Sequence, residues 1–217
     1  MQLILGAVTI CLPQDVQSES YAYPTRFFQK KVHQFHRPEP NRNQLEELRN
    51  RIRESKRPLL IAGGGVHYSQ AYEEVRAVCE AFSIPVAETQ AGKGCLPSSH
   101  TLNIGGVGVL GSEIGNRILK QSDCVIALGT RFSDFLTASK SNLDSSYKTL
   151  ISINLDLFDV NKLNPTLAIK ADIRNTLISL LDNVAIVESS KDTSNKNGEV
   201  YLSEINSLQE KWHERIK

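Results

Sequence analysis

The chain has 217 residues, 40% apolar and 23% charged, an ordinary globular composition with room for one core of substantial size. Its 25 Lys and Arg nearly cancel 24 Asp and Glu, leaving a net charge of +1, and no Lys/Arg run interleaves with aromatics. Composition therefore argues against nucleic acid or an anionic membrane as a partner, no apolar run approaches a membrane span, and small molecules or proteins are the expected partners.

Taken in chain order, the apolar run from Leu3 to Leu12 imitates a secretory signal but lacks preceding basic residues and a small-residue cleavage site. Gly6 to Val16 instead reads as a β-strand running into a turn, with Pro13 ending its capacity to pair. A lone strand there is expected to be the last strand of a preceding domain. From Gln17 to Asn41, Tyr21, Tyr23, Phe27, Phe28 and Phe35 stand among basic residues, and Pro24, Pro38 and Pro40 interrupt helix. This segment reads as a linker lying across a surface, its aromatics serving as packing anchors. A platform for single-stranded nucleic acid is the less favoured alternative, because the whole-chain charge supplies no supporting field. Asn43 with Glu46 then predicts the cap of a leading helix, in which Leu45, Leu48 and Ile52 repeat at helical spacing.

The stretch Arg57 to Val66 organises the rest of the chain. Leu59 to Ala62 is an unbroken apolar run, as expected of a strand buried on both faces of a parallel sheet, and Gly63, Gly64 and Gly65 remove every Cβ where the chain must turn. Ser69, with Glu73 and Glu74, reads as the cap and acidic first turn of a helix whose Ala71, Val75, Val78, Cys79 and Phe82 share one face. A strand, glycine turn and helix in that order open doubly wound α/β domains and offer an anion site at the helix N-terminus. The third glycine of the dinucleotide fingerprint is missing, so a structural turn is favoured over a phosphate site.

Ile84 to Ala87 reads as the second strand, and the loop Glu88 to Gly94 behind it is a candidate site by position, with Gln90 and Lys93 as its exposed polar residues. It is no P-loop, since Lys93 precedes Gly94 rather than Ser or Thr. Gly106 to Gly111 matches G-x-G-x-x-G in letters, but no buried strand is expected to lead into it, and a flexible turn before a helix from Ser112 to Gln121 is favoured. Cys124 to Phe132 and Leu150 to Asp156 repeat the pattern of buried strand and polar loop. Asp156 is read as a local cap in preference to a ribose acceptor. Leu167 to Lys170 reads as a short strand, followed by a helix that Asp172 caps. Residues 188–200 carry almost nothing to bury and read as a flexible linker, and Leu202, Ile205, Leu208 and Trp212 resume helical spacing. The four cysteines form no C-x-x-C pair and no zinc spacing, which predicts reduced thiols in a cytoplasmic protein and no metal site. The expected fold is a Rossmann-like doubly wound parallel sheet over residues 42–187, preceded by a strand (1–16) and linker (17–41) and followed by the 188–200 linker and a helix over 201–217.

The order of Pro-Gln-Asp-Val at 13–16, the aromatic linker, Arg57 to Val66, Ile84 to Gly94 and Ala127 to Phe132 resembles the central domain of thiamine-diphosphate-dependent enzymes. The strings from Gly63 to Ser69 and from Ala87 to Gly94 resemble, more narrowly, the hydrolases of inositol catabolism that open a trihydroxycyclohexanedione ring to 5-deoxy-glucuronate. The resemblance covers roughly residues 5–182. It implies a chain with a pyrimidine-binding domain before this one and a diphosphate-binding domain after it, both absent here, so the expectation is a non-catalytic middle piece of a larger homo-oligomeric enzyme. Thiamine diphosphate and Mg²⁺ would be held by those other domains, and no catalytic residue or metal ligand is expected in this one. Some relatives hold FAD or ADP in this domain, and NAD-binding deacetylases share the fold. The resemblance thus implies Gly64, Gly65, Gly129, Thr130, Arg131 and Asp156 as a nucleotide cleft, although the hydrolase reaction needs no flavin, and places Gln90 and Lys93 near the substrate channel. A nucleotide-binding module of a related acetohydroxyacid synthase-like enzyme, or of a regulatory protein, is the alternative.

Overall fold

The computed structural model describes residues 8–32, 34, 36–143, 148–182 and 196–215. They fall into two units, Met1–His36 and Arg37–Lys217. In the first, helix α1 (Gln14–Gln17) is a single turn behind Pro13, and Thr25–Phe28 forms a 3₁₀ turn behind Pro24. The strand expected up to Leu12 does not form over residues 8–12, which have no regular structure. No neighbouring strand is present among the described residues to take its N–H and C=O groups, and a solitary strand has no ladder to stabilise it. The aromatics do not anchor the segment by burial. Tyr21, Tyr23, Phe27 and Phe28 are exposed and pack on one another, with ring centroids 5.0 Å apart for Tyr23 and Phe27 and 5.3 Å for Phe27 and Phe28. Phe35 lies outside the described residues.

The second unit is an α/β domain built on a six-stranded, all-parallel sheet of order β3-β2-β1-β4-β5-β6. Its strands are β1 (Pro58–Ala62), β2 (Val86–Glu88), β3 (Asn103–Gly106), β4 (Cys124–Leu128), β5 (Thr149–Asn154) and β6 (Leu167–Lys170). Every residue of β1 and β4 is buried, because helices cover both faces of the sheet centre, as the unbroken apolar runs require. The strand period of two divides β1 between the layers. Leu60 and Ala62 join a core with Leu48, Val75, Val78, Leu177 and Leu180, whereas Leu59 and Ile61 join one with Ile114, Ile118, Leu119, Tyr201 and Ile205. The first layer is supplied by α2 (Arg42–Glu54), α4 (Tyr72–Phe82) and α8 (Ile173–Asp182), the second by α5 (Glu113–Gln121) and α9 (Lys196–Arg215). The remaining helices, α3 (Gly64–Ser69), α6 (Asp134–Thr137) and α7 (Leu157–Asn161), are short and follow β1, β4 and β5.

Local chemistry corrects several expectations. Helix α2 is capped by Asn41 rather than Asn43: the Asn41 side chain accepts from the N–H of Asn43 and Gln44, and Gln44 reaches back to the Asn41 N–H. Ser69 caps no helix start. It ends α3, its hydroxyl donating to the Gly65 and Val66 carbonyls, and α4 begins after Gln70 in the left-handed conformation, with Glu73 and Glu74 in its first turn. A strand does lead into Gly106-x-Gly-x-x-Gly111, namely β3, which is too short and glycine-ended to show as an apolar run. Gly108 has φ +104° there, and a Cβ on it would lie 2.2 Å from the Phe135 carbonyl oxygen, so this glycine serves close backbone approach between its loop and α6.

Helix α9 starts at Lys196, inside the span read as linker, while residues 188–195 of that span lie outside the described residues. It docks through buried Tyr201 and Ile205. Arg57 stacks 4.9 Å above the Tyr201 ring and pairs with Glu204, and burial drives the Tyr201 hydroxyl pKa up. Gln209 donates to the Thr101 carbonyl just before β3 and to the Asn103 carbonyl at its start, and so occupies an acceptor of this edge strand that another strand would otherwise use.

Candidate functional site

In an open parallel sheet the ligand edge lies at the strand C-termini, where the strand order reverses, here between β1 and β4. The turns after those two strands bring Gly63, Gly64, Gly65, Gly129 and Thr130 together. Gly63 N–H donates to the Leu128 carbonyl at 2.8 Å, Gly65 N–H to Gly129 at 3.0 Å, and Gly129 N–H to Ile153 at 2.8 Å. The backbones touch: a Cβ on Gly65 would sit 2.6 Å from Gly129 Cα, and one on Gly63 2.5 Å from the Gly129 carbonyl oxygen. Most of the donors that an anion would need are thus committed within the fold.

Thr130 is buried, its hydroxyl accepting from Phe132 N–H and its carbonyl from the Asn154 side chain. Arg131 is exposed, and its carbonyl accepts from Lys162. Asp156 caps α7, accepting from the N–H of Phe158 and Asp159 at 2.8 and 2.9 Å, as the local reading anticipated. Burial, and next the Asp156 charge, raise the Asp159 pKa. Phe132 was not singled out in the sequence, yet it is buried with φ +46°, a left-handed conformation costly for an aromatic residue and placed in the loop after β4.

Behind β2 the loop is tightly organised. Thr89 N–H donates to the Ala62 carbonyl, Gln90–Gly92 forms a 3₁₀ turn capped by the Thr89 hydroxyl, and Gln90 and Lys93 stay exposed. Glu88, the acid that opens the loop, is buried, only 6% exposed, and its Oε1 accepts from Gly94 N–H, Leu96 N–H and the Cys95 thiol. Its inward turn had only an indirect signal in sequence: an acid at the end of a buried strand, followed by a glycine-rich loop whose amides need an acceptor.

The family model described as "Thiamine pyrophosphate enzyme, central domain" matches residues 45–180, which span the sheet and the glycine turns. The chain belongs to this family. Two relatives from Bacillus cereus (strain ZK), 3D-(3,5/4)-trihydroxycyclohexane-1,2-dione hydrolases 1 and 2, are 41% and 42% identical over 211 residues, 97% of this chain and 31% of each relative. A relative of the same description from Bacillus thuringiensis (strain Al Hakam) is 41% identical over the same share. The central domain therefore corresponds to less than a third of these relatives' length, while the similarity extends beyond the family match to include α9.

Thiamine diphosphate is bound with a hard divalent cation, which needs several oxygen ligands at fixed distances. Among the described residues no three His, Cys, Asp or Glu side chains converge on such a site. Glu88 is turned inward to its loop and Asp156 to its helix, so the described acids do not form a donor set for the cofactor's metal. Also among the described residues, no helix is long and apolar enough to cross a membrane.

Proposed function

We propose that this chain is the central domain of a cytoplasmic, homo-oligomeric thiamine-diphosphate-dependent hydrolase that opens 3D-(3,5/4)-trihydroxycyclohexane-1,2-dione to 5-deoxy-glucuronate. The observation that carries this reading is identity above 40% with hydrolases of that description over 97% of the chain, including loops and α9 as well as the sheet that the wider family shares. In this reading the cofactor supplies the carbanion chemistry from domains outside these residues, and the central domain contributes placement. Gln90 and Lys93 face the substrate channel, where an exposed ammonium attracts the polyhydroxylated dione and its developing negative charge. The glycine crevice is a packing device in preference to a nucleotide cleft, a reading supported by the internal bonds of Gly63, Gly65 and Gly129. FAD and ADP are accordingly not expected there.

Two measurements test the proposal. The complete reading frame that encodes this chain, expressed and supplied with thiamine diphosphate and Mg²⁺, is expected to convert the cyclic dione to 5-deoxy-glucuronate, and cofactor binding without product overturns the substrate assignment. Calorimetric titration of the 217-residue chain with the same cofactor and metal is expected to show no saturable heat. Stoichiometric micromolar binding would move the cofactor site into this domain and return Glu88 to consideration as a ligand.

A further inference from the structure

A buried carboxylate that the proposed chemistry leaves unused sits directly beneath the loop that carries Gln90 and Lys93. We infer that Glu88 is a positioning residue: its carboxylate clamps the loop 89–96 from within and so fixes where Lys93 and Gln90 are presented to substrate. The inference rests on the proposed function for the identity of that substrate, while the clamp itself rests on geometry alone.

Glu88 ends β2, where Val86 and Ala87 are fully buried, so its backbone is fixed by the sheet. One oxygen, Oε1, takes the Gly94 N–H at 3.1 Å, the Leu96 N–H at 3.2 Å and the Cys95 thiol at 3.4 Å. These contacts fall on the return limb of the loop, just after Lys93. The outgoing limb is fixed independently by Thr89 N–H on the Ala62 carbonyl and by the Thr89 cap on Gly92. The limbs are joined by Cys95 N–H on the Gly92 carbonyl. Beyond Leu96 the chain is pinned again, since the Asn103 side chain donates to the Leu96 carbonyl. Gln90 and Lys93 therefore stand exposed between two anchored limbs, and on the return side one carboxylate oxygen of Glu88 accepts from both the Gly94 and Leu96 N–H groups.

Hydrogen bonds from backbone N–H groups to a carboxylate are charge-assisted and stronger than those between neutral partners, and such bonds are what hold a loop in one conformation. A glutamine keeps an acceptor oxygen at the same reach but not the charge, whereas an alanine leaves the buried Leu96 amide and Cys95 thiol without this acceptor and the exposed Gly94 amide to solvent. An active-site lysine is effective only if held in place before the substrate arrives, because misplacement by about 1 Å costs on the order of a hundredfold in rate.

The test has two arms. In the 217-residue chain, hydrogen exchange at the Gly94 and Leu96 amides is expected to accelerate about tenfold or more in Glu88→Ala, while the β1 amides keep their protection and Glu88→Gln recovers most of the loss. Should the alanine variant not fold, Glu88→Gln carries this arm, with a rise of a few-fold expected for the weaker neutral acceptor. Unchanged exchange in the folded variant overturns the clamp. In the complete enzyme, Glu88→Ala and Lys93→Ala are each expected to lower kcat/KM for the dione by a similar factor, on the order of ten to a hundredfold, and the double variant no further. Additive losses, or full kcat/KM in Glu88→Ala, overturn positioning through Lys93. If the wild-type enzyme leaves the dione intact, it is the functional reading that falls, and the exchange arm still decides the clamp.

Discussion

Substituting Gly65 by alanine separates the two roles that a glycine turn at a switch point can play. A Cβ at this position would meet Gly129 Cα at 2.6 Å, Ile173 Cδ1 at 2.9 Å and the Gly129 carbonyl oxygen at 3.2 Å. Carbon atoms rest at about 3.5–4.0 Å, so the turns after β1 and β4 must separate by about 1 Å. That movement strains the Gly65 N–H bond to Gly129 and the Gly63 N–H bond to Leu128. Overpacking of this kind costs about 1–3 kcal/mol and two weakened hydrogen bonds about 1 kcal/mol each. Against this, alanine is better than glycine within a helix by about 1 kcal/mol, leaving a net destabilisation of about 2–4 kcal/mol. Gly64 is the internal control. Its Cβ would meet the Ala91 methyl at 3.3 Å and the Ala91 carbonyl oxygen at 3.5 Å, with no approach under 3.0 Å, so Gly64→Ala is expected to stay within about 1 kcal/mol of the wild type. Urea unfolding of the 217-residue chain reads the difference, with the Gly65→Ala midpoint about 1–2 M lower for an m-value near 2 kcal/mol/M. Equal midpoints for the two variants would refute the packing argument and imply that Gly65 is retained for a ligand.

Truncating Ile205 to alanine, at 1% exposure in α9, is expected to cost about 2–4 kcal/mol and to speed amide exchange along α9 before the sheet is affected; a loss below about 1 kcal/mol would mean that the helix contributes little to the domain. Thiol titration at pH 8 is expected to find one fast-reacting cysteine, the exposed Cys11, with Cys79, Cys95 and Cys124 reacting only on unfolding. Burial raises Cys79 from 9.0 to about 11 and Cys124 to about 12. Above pH 9 the unfolded chain releases these protons and the folded one retains them, so stability is intact below pH 9 and declines as pH rises towards 11–12. A denaturation midpoint that stays level from pH 8 to 10.5 would contradict that linkage.

Much of the domain was legible because one physical signal governs it. Leu59–Ala62, Cys124–Leu128 and Leu167–Lys170 are apolar runs bounded by turns, and a parallel sheet covered on both faces needs such runs. The cap assignments of Asp156 and Asp172 were legible too, since a short acidic side chain bonds amides two or three residues on, within the same stretch of sequence. What failed was what depends on a distant partner. The strand expected before Leu12 had no neighbour to pair with among the described residues, and β3, which the apolar pattern passes over, forms because β2 lies beside it. Cap competition between Asn41 and Asn43 was settled by the reach of Gln44, and Ser69 by carbonyls of a helix that the glycines had concealed.

Sequence by itself thus determined the family, the parallel sheet and the glycine turns, because strand burial and turn chemistry are written in consecutive residues. Only the tertiary structure shows which atoms the glycines and Glu88 meet. Gly65 meets Gly129 across three intervening strands of the chain, and the Glu88 carboxylate finds its donors only when the loop folds back upon it. Close approach and hydrogen-bond direction are properties of atoms brought together in space, and no spacing along the chain encodes them.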